Sequence, residues 1–297
     1  MPRASVRDRL RRIDRSDRHH LCVEKAMFQR GLLSALLVLG FGPGRAQAPM
    51  PVVPVAGERT LRSLSHDAFK PGERLTYVVH YGLMDAGEAV LELQESELRM
   101  EGRPLLHAKG VGRSLGAFNL FYKVDDRYDT WFDRDGVFPW IFKRSVSEGG
   151  YAFSQDYVYL QHKQVVTTQK QRTHAVPLHV QDMLSAFYYA RTLDLSSVTP
   201  GQEFTIPCFL DDELWPLRMR FIGRETIKIR NGRYRCLKFQ PVVQEGRIFA
   251  TNDDLNVWIT DDGNRIPVLA QAKVLVGSIK MELSGHEGLV HPIAKVK

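Results

Sequence analysis

Val180–Arg191, VQDMLSAFYYAR, decides how the rest of the chain is read. Its apolar residues Val180, Met183, Leu184, Phe187 and Tyr188 fall at i, i+3, i+4, i+7 and i+8, the spacing of one buried helical face. Asp182 stands in the first turn and Arg191 in the last, each matched in sign to its end of the helix dipole. Tyr189, Asp182 and Ser185 fall on the opposite face and are expected to be solvated, or else to form the polar part of a site. Nearly all else alternates with period two between turn signals, so this helix must bury its stripe against a sheet.

Upstream, the pattern starts at Lys70-Pro71-Gly72-Glu73 and runs through strands near Arg74–Tyr81, Glu88–Gln94, Pro104–Val111, Asp126–Asp133, Pro139–Ser147, Gln155–Gln161 and Gln164–Gln171. Downstream, the same order returns. Thr199-Pro200-Gly201-Gln202 precedes Glu203–Phe209, and Asn231-Gly232-Arg233 precedes Tyr234–Pro241, as Glu101-Gly102-Arg103 precedes Pro104–Val111. Trp258 then leads to Asp262-Gly263, as Trp131 leads to Asp135-Gly136. The offsets are 129, 130, 127 and 127 residues for Pro-Gly, Gly-Arg, Trp and Asp-Gly. An internal duplication is expected: half one 70–171, the helix, and half two 199–284. The fold class is mainly β, an antiparallel curved sheet forming an open barrel or sandwich, with the amphipathic helix between the halves. Val268–Leu283 reads as a long strand or bent pair broken at Gly277, and 285–297 as a tail.

Charge separates the chain's beginning from its body. Residues 1–48 carry ten Lys and Arg against four acids, or +6 of the net +7, leaving +1 for 49–297. Gly31–Phe41 is an uncharged apolar run after Arg30 and before Ala46-Gln47-Ala48. This is the grammar of a cleavable signal peptide, too short to cross a bilayer as a helix. Met27 could be the true start, with 1–26 an upstream extension. Pro49–Phe69 reads as a flexible lead-in. The mature chain is expected to be a periplasmic protein, soluble or peripherally attached. Near-neutral charge after residue 48 argues against a nucleic-acid partner. Cys208 and Cys236 are disulfide candidates in an oxidising compartment, but in a meander they lie on strands one and three, too far apart to bridge.

Motifs for chemistry are sparse. Gly112-Arg113-Ser114-Leu115-Gly116 matches the nucleophile-elbow pattern but leads into strands, so a serine hydrolase using Ser114 is a minor alternative. No metal-ligand spacing and no nucleotide-binding glycine motif occurs, so neither metal nor cofactor is expected. The acid doublets Asp125-Asp126, Asp211-Asp212, Asp253-Asp254 and Asp261-Asp262 read as surface turns. Aromatic residues are dense, which gives either a core or an apolar cavity between helix and sheet. Candidate ligand contacts are Met183, Leu184, Phe187, Tyr188, Phe121, Trp131 and Trp258. For the two tryptophans, matched positions of the halves, core packing is the preferred reading.

FKPGERLTYVVHYG, GRSLGAFNLFYKVDDRYDTWFD, VQDMLSAFYYAR, GRYRCLKFQP and VWITDDGNRIPVLAQAKVLVGSI occur in order over about 215 residues. Together they resemble the bacterial exported family called domain of unknown function 3108. The resemblance implies a β-rich envelope protein and carries over no catalytic residue. The leading expectation is non-catalytic binding of an apolar, lipid-like ligand. The alternative is a structural or assembly role through contacts with an envelope protein.

Overall fold

The computed structural model describes residues 60–242, 255–273 and 278–297. The expected signal segment, the first part of the lead-in, Asp253-Asp254, and Val274, Val276 and Gly277 lie outside them. The strands are β1 (Arg74–Tyr81), β2 (Met84–Met100), β3 (Arg103–Ser114), β4 (Asp125–Asp133), β5 (Pro139–Glu148), β6 (Tyr151–Leu160), β7 (Val165–Thr168), β8 (Thr173–Ala175), β9 (Glu203–Leu210), β10 (Glu213–Ile229), β11 (Gly232–Pro241), β12 (Leu255–Thr260), β13 (Pro267–Lys273), β14 (Ser278–Glu287) and β15 (Lys295–Val296). Helix α1 is Phe118–Phe121 and helix α2 is Met183–Arg191.

All strands join one antiparallel sheet in the order β8-β7-β6-β5-β4-β3-β2-β1-β14-β13-β12-β11-β10-β9, with β15 added on β11. One meander runs outward from β1, and a second runs back from β9 to β14, which pairs with β1. The sheet therefore has two arms, and α2 lies in the connection between their outer ends. Three successive strand starts repeat at 129 residues: Arg74 and Glu203, Met84 and Glu213, Arg103 and Gly232. β2 and β10 are each 17 residues long, and each pairing with the next strand contains a register shift. Such irregularities bend a sheet and increase its twist.

Curvature brings the arms toward each other around α2. The Arg144 guanidinium and the Gln155 side chain of the first arm reach Asp211 in the β9–β10 turn. Tyr157 Oη donates to Asp212 Oδ1 at 2.9 Å, and Tyr159 Oη to the Phe209 carbonyl at 3.2 Å. Gln181 closes part of the remaining gap. Its N–H donates to the Pro207 carbonyl and its carbonyl accepts from Phe209 N–H, both at 2.8 Å. This covers the open edge of β9.

The helix begins later than its apolar pattern does. Asp182 is the N-cap, and its Oδ1 accepts from the N–H groups of Leu184 and Ser185, both at 2.8 Å. Ser185 Oγ accepts from Asp182 N–H at 2.9 Å, completing a capping box. Asp182 and Ser185 are both fully buried, so the solvated face expected for them does not exist. The helix is enclosed by sheet on more than one side, and its start needs buried donors satisfied.

Arg191 anchors the other end of α2. Its guanidinium makes two 2.6 Å bonds to the two Glu73 oxygens, ahead of β1. It also donates to the Ala68 carbonyl at 2.9 Å and the Asn264 carbonyl at 2.8 Å. Both side chains are at most 2% exposed. Burial alone would lower the arginine's pKa; the carboxylate and the neighbouring tyrosines raise it above its ordinary value. Arg62 makes the matching contact in the first arm: its Nε donates to the Gly136 carbonyl at 2.7 Å, in the turn before β5. Phe69, inside the expected lead-in, is buried against Tyr188.

Of the two readings of the cysteines the unbridged one holds, and two further expectations are corrected. Cys208 and Cys236 are free, buried thiols. They pair with opposite regions of β10, at Trp215 and Glu225, so roughly 30 Å of strand separates them as well as the intervening strand. Asp126 is not at an exposed turn but fully buried in β4, where Oδ1 accepts from Ser147 N–H at 2.9 Å. The C-terminal segment is packed: Ala294 N–H donates to Asp262 Oδ2 at 2.6 Å and β15 pairs with β11. Two paired residues are too few to produce an alternation pattern.

Removing one member of a buried ion pair strands the other. Glu73→Gln is therefore expected to lower unfolding free energy by roughly 3–5 kcal/mol. A urea titration gives the value, and a loss below about 1 kcal/mol would show that the pair does not hold the arms to the helix.

Candidate ligand cavity

The two sides of α2 meet different surroundings. Toward the first arm it presents Leu184 and Tyr188. Leu184 occupies the space left by Gly110, where a β-carbon would stand 3.5 Å from it. The Tyr188 ring stacks on Phe132 at 5.2 Å and meets Phe69 edge-on at 4.9 Å. This side is filled.

Toward the second arm α2 presents Met183, Ala186, Phe187 and Ala190, again at i, i+3, i+4 and i+7. Two of these four are alanines, and the space they leave is a cavity of about 110 Å³. Its far wall is Phe204 and Ile206 of β9, Leu217 and Met219 of β10, Phe239 of β11, and Val257 and Ile259 of β12. Pro267, Leu193 and Leu195 complete the apolar lining. The charged side chains on it are Arg191 and Arg265. Arg191 is committed to Glu73. Arg265 is half-buried and donates through Nη1 to the Arg191 carbonyl at 2.7 Å. The volume is close to that of apolar cavities, about 150 Å³, that admit a benzene-sized guest.

Met183 and Phe187, of the expected contacts, line this cavity. Leu184 and Tyr188 belong to the filled side. Trp131 lies on the outer face of β4, stacked on His107 at 4.1 Å, while Tyr128, Thr130 and Phe132 point inward. Trp258 also points away from the cavity: its Nε1 donates to Glu225 at 2.6 Å and Lys238 lies over its ring, while its neighbours Val257 and Ile259 line the wall. Alternation along a strand puts each tryptophan on the wrong face. Phe121 is 85% exposed on α1 and does not line this cavity. The wall residues missed in the sequence do carry a signal, since Phe204/Ile206, Leu217/Met219 and Val257/Ile259 are i, i+2 pairs. Nothing local says which of two apolar faces encloses space.

Ser114 has a structural setting. Its Oγ donates to Asn119 Oδ1 at 2.7 Å and accepts from Val124 N–H at 2.8 Å. The hydroxyl clamps a loop, and the partner a hydrolase needs in that position, a histidine, is replaced by an amide and a backbone N–H.

Asp182 gives this region its titration. Burial drives its pKa upward, to about 7, against the opposing bonds from Ser185, Thr130 and Leu184. Oδ1 takes those bonds, including one from Thr130 Oγ1 at 3.0 Å, while Oδ2 has no hydrogen-bond partner.

Residues 76–284 match the family model "Protein of unknown function (DUF3108)", and the chain belongs to that family. No curated protein matches the sequence. Among solved structures, the chain is similar to a beta-barrel-like protein of domain of unknown function DUF1849 from Brucella abortus. The identity is 10% and the TM-score 0.46, covering 72% of this chain and 96% of that one. It is also similar to a candidate lipoprotein from Parabacteroides distasonis (10%, TM-score 0.33, 77% and 100% covered). A third is a candidate exported protein with a YmcC-like fold from Bacteroides fragilis (9%, TM-score 0.29, 76% and 100% covered).

Asp182 loses its proton near pH 4 when unfolded and near 7 when folded. Its contribution to stability is therefore greatest in acid and falls as pH rises from about 4 to 7. Asp182→Asn keeps a capping oxygen and cannot titrate. Relative to the parent, this variant is expected to gain on the order of a few kcal/mol between about pH 4 and pH 8. Urea melts at both pH values test this; a pH-independent difference would mean that the buried carboxyl titrates normally.

Proposed function

We propose that this is an exported cell-envelope protein that binds an apolar or amphipathic, lipid-like ligand without transforming it. One observation carries the reading: a cavity walled by hydrocarbon on all its strands, with the half-buried Arg265 as the charge left beside it. A cavity of this size takes a segment of an acyl chain, and a cation next to an apolar slot suits a ligand with an anionic end. Placement in the periplasm rests on the signal-peptide pattern expected within residues 1–48. No helix among the described residues is long and apolar enough to cross a membrane.

The 129-residue repeat of three strand starts supports an origin by duplication. α2 lies between two arms of like strand order. One arm meets Leu184 and Tyr188 from the helix, and the other meets Met183, Phe187 and two alanines.

Native mass spectrometry of the purified chain, with extraction of anything bound, tests the reading. The expected result is a co-purifying or added fatty acid held by the parent. Ala190→Phe, which fills the cavity from a half-buried position, should lose it while melting within a few degrees of the parent. A parent that neither carries nor takes up a fatty acid would overturn the proposal.

A further inference from the structure

A second apolar feature lies at the end of the sheet where β1 turns into β2 and β3 into β4. Leu83, Leu120 and Phe121 are 101%, 84% and 85% exposed, and Met84 and Leu115 join them. These side chains occupy two adjacent loops. Leu115 N–H donates to the Ala86 carbonyl at 2.9 Å, and the Phe118 ring meets Tyr81 at 6.4 Å.

The longer loop is built rather than slack. Ser114 ties its start to Asn119 and to Val124, and Tyr122 N–H closes α1 on the Phe118 carbonyl at 2.9 Å. Holding leucine and phenylalanine rigidly in water costs free energy that a contact elsewhere must return. Ser114–Tyr122, SLGAFNLFY, contains no charge, and Arg113 and Lys123 bracket it, both exposed, with Arg113 in a 3.7 Å exposed ion pair with Asp125. Tyr151, half-exposed, stands at the neighbouring β5–β6 turn, where the Tyr122 ring packs against Gly149.

We propose that this tip inserts into the interfacial zone of a phospholipid bilayer. Aliphatic and phenyl groups at the apex, tyrosines behind them and cations beside the loop follow the order of a membrane interface: hydrocarbon, carbonyl and headgroup region, anionic phosphate. The tip is convex, and lipids rearrange around a convex insert. It is also small: the five side chains fall well short of the roughly 20–30 residues that each side of a stable protein interface supplies. Lys123 suits anionic headgroups, and the exposed Arg113 can exchange Asp125 for a phosphate. The binding is peripheral and does not depend on what the cavity beside α2 holds.

The test places a reporter at the apex of the full chain. The fluorescence of a Phe121→Trp variant should shift to the blue on vesicles of phosphatidylcholine containing about a third phosphatidylglycerol. Its added fluorescence should be quenched by brominated acyl chains, relative to the parent with its buried and outer-face tryptophans. In sedimentation with the same vesicles, Leu120→Ser/Phe121→Ser should bind roughly ten-fold more weakly or worse. Leu98→Ser, an exposed leucine at the other end of β2, should bind as the parent does. Both serine sites of the double variant are exposed, so the fold is retained. Failure of the brominated chains to quench the Phe121→Trp reporter would overturn the proposal, as would a double variant that binds like the parent. Loss of self-association in the double variant, without any vesicle binding by the parent, would instead assign the tip to protein contact.

Discussion

The contact between Arg191 and Glu73 organises the molecule. Separate stretches meet at one guanidinium: the segment before β1 through Ala68 and Glu73, the end of α2, and the β12–β13 turn through Asn264. Planar arginine suits this role because its donors leave in fixed directions, and here they are taken by named acceptors. Such a pair is weak evidence of net stability, since burying both charges costs much of what their attraction returns. Its consequence is geometric. An unpaired Glu73 or Arg191 in that position is untenable, so α2 has one place to sit within the curved sheet.

With α2 held, the two arms acquire different interiors. The helix is apolar on most of its circumference because sheet surrounds it, which is why Asp182 and Ser185, polar in type, are buried as a cap. Leu184 and Tyr188 meet the first arm, and toward the second two alanines stand beside Met183 and Phe187. The cavity is thus a property of side-chain size at four helical positions, seen against a wall made by period-two alternation. The same alternation excludes Trp131 and Trp258 from the cavity: Trp131 stacks on His107 on the outer face of β4, and Trp258 is buried in the core on the face of β12 opposite Val257 and Ile259.

The apolar tip and the cavity draw on one physical fact, hydrocarbon left without a partner in the folded chain. They differ in shape. The space walled by Phe204, Val257 and Ile259 is concave and is proposed to receive a guest, whereas Leu120 and Phe121 project outward and are proposed to enter a bilayer. Ser114 shows how a motif can mislead between such roles. The glycine-serine-glycine pattern marks a sharp loop, and the hydroxyl is used to stiffen that loop so that it can present Leu120 and Phe121.

The sequence by itself determined the mainly β class, most of the strands, the helix and the repeated order of turns around it. These are local properties, set by side-chain alternation, by glycine and proline at turns, and by the 3.6-residue stripe of about one helical face. Only the tertiary structure decided that the strands make one sheet, that Asp182 and Arg191 are buried anchors, that Cys208 and Cys236 are far apart, and which helical face encloses space. Each of those depends on pairings between distant parts of the chain or on the side to which a strand curves. Periodicity reports which residues share a face, and it is silent on what that face meets.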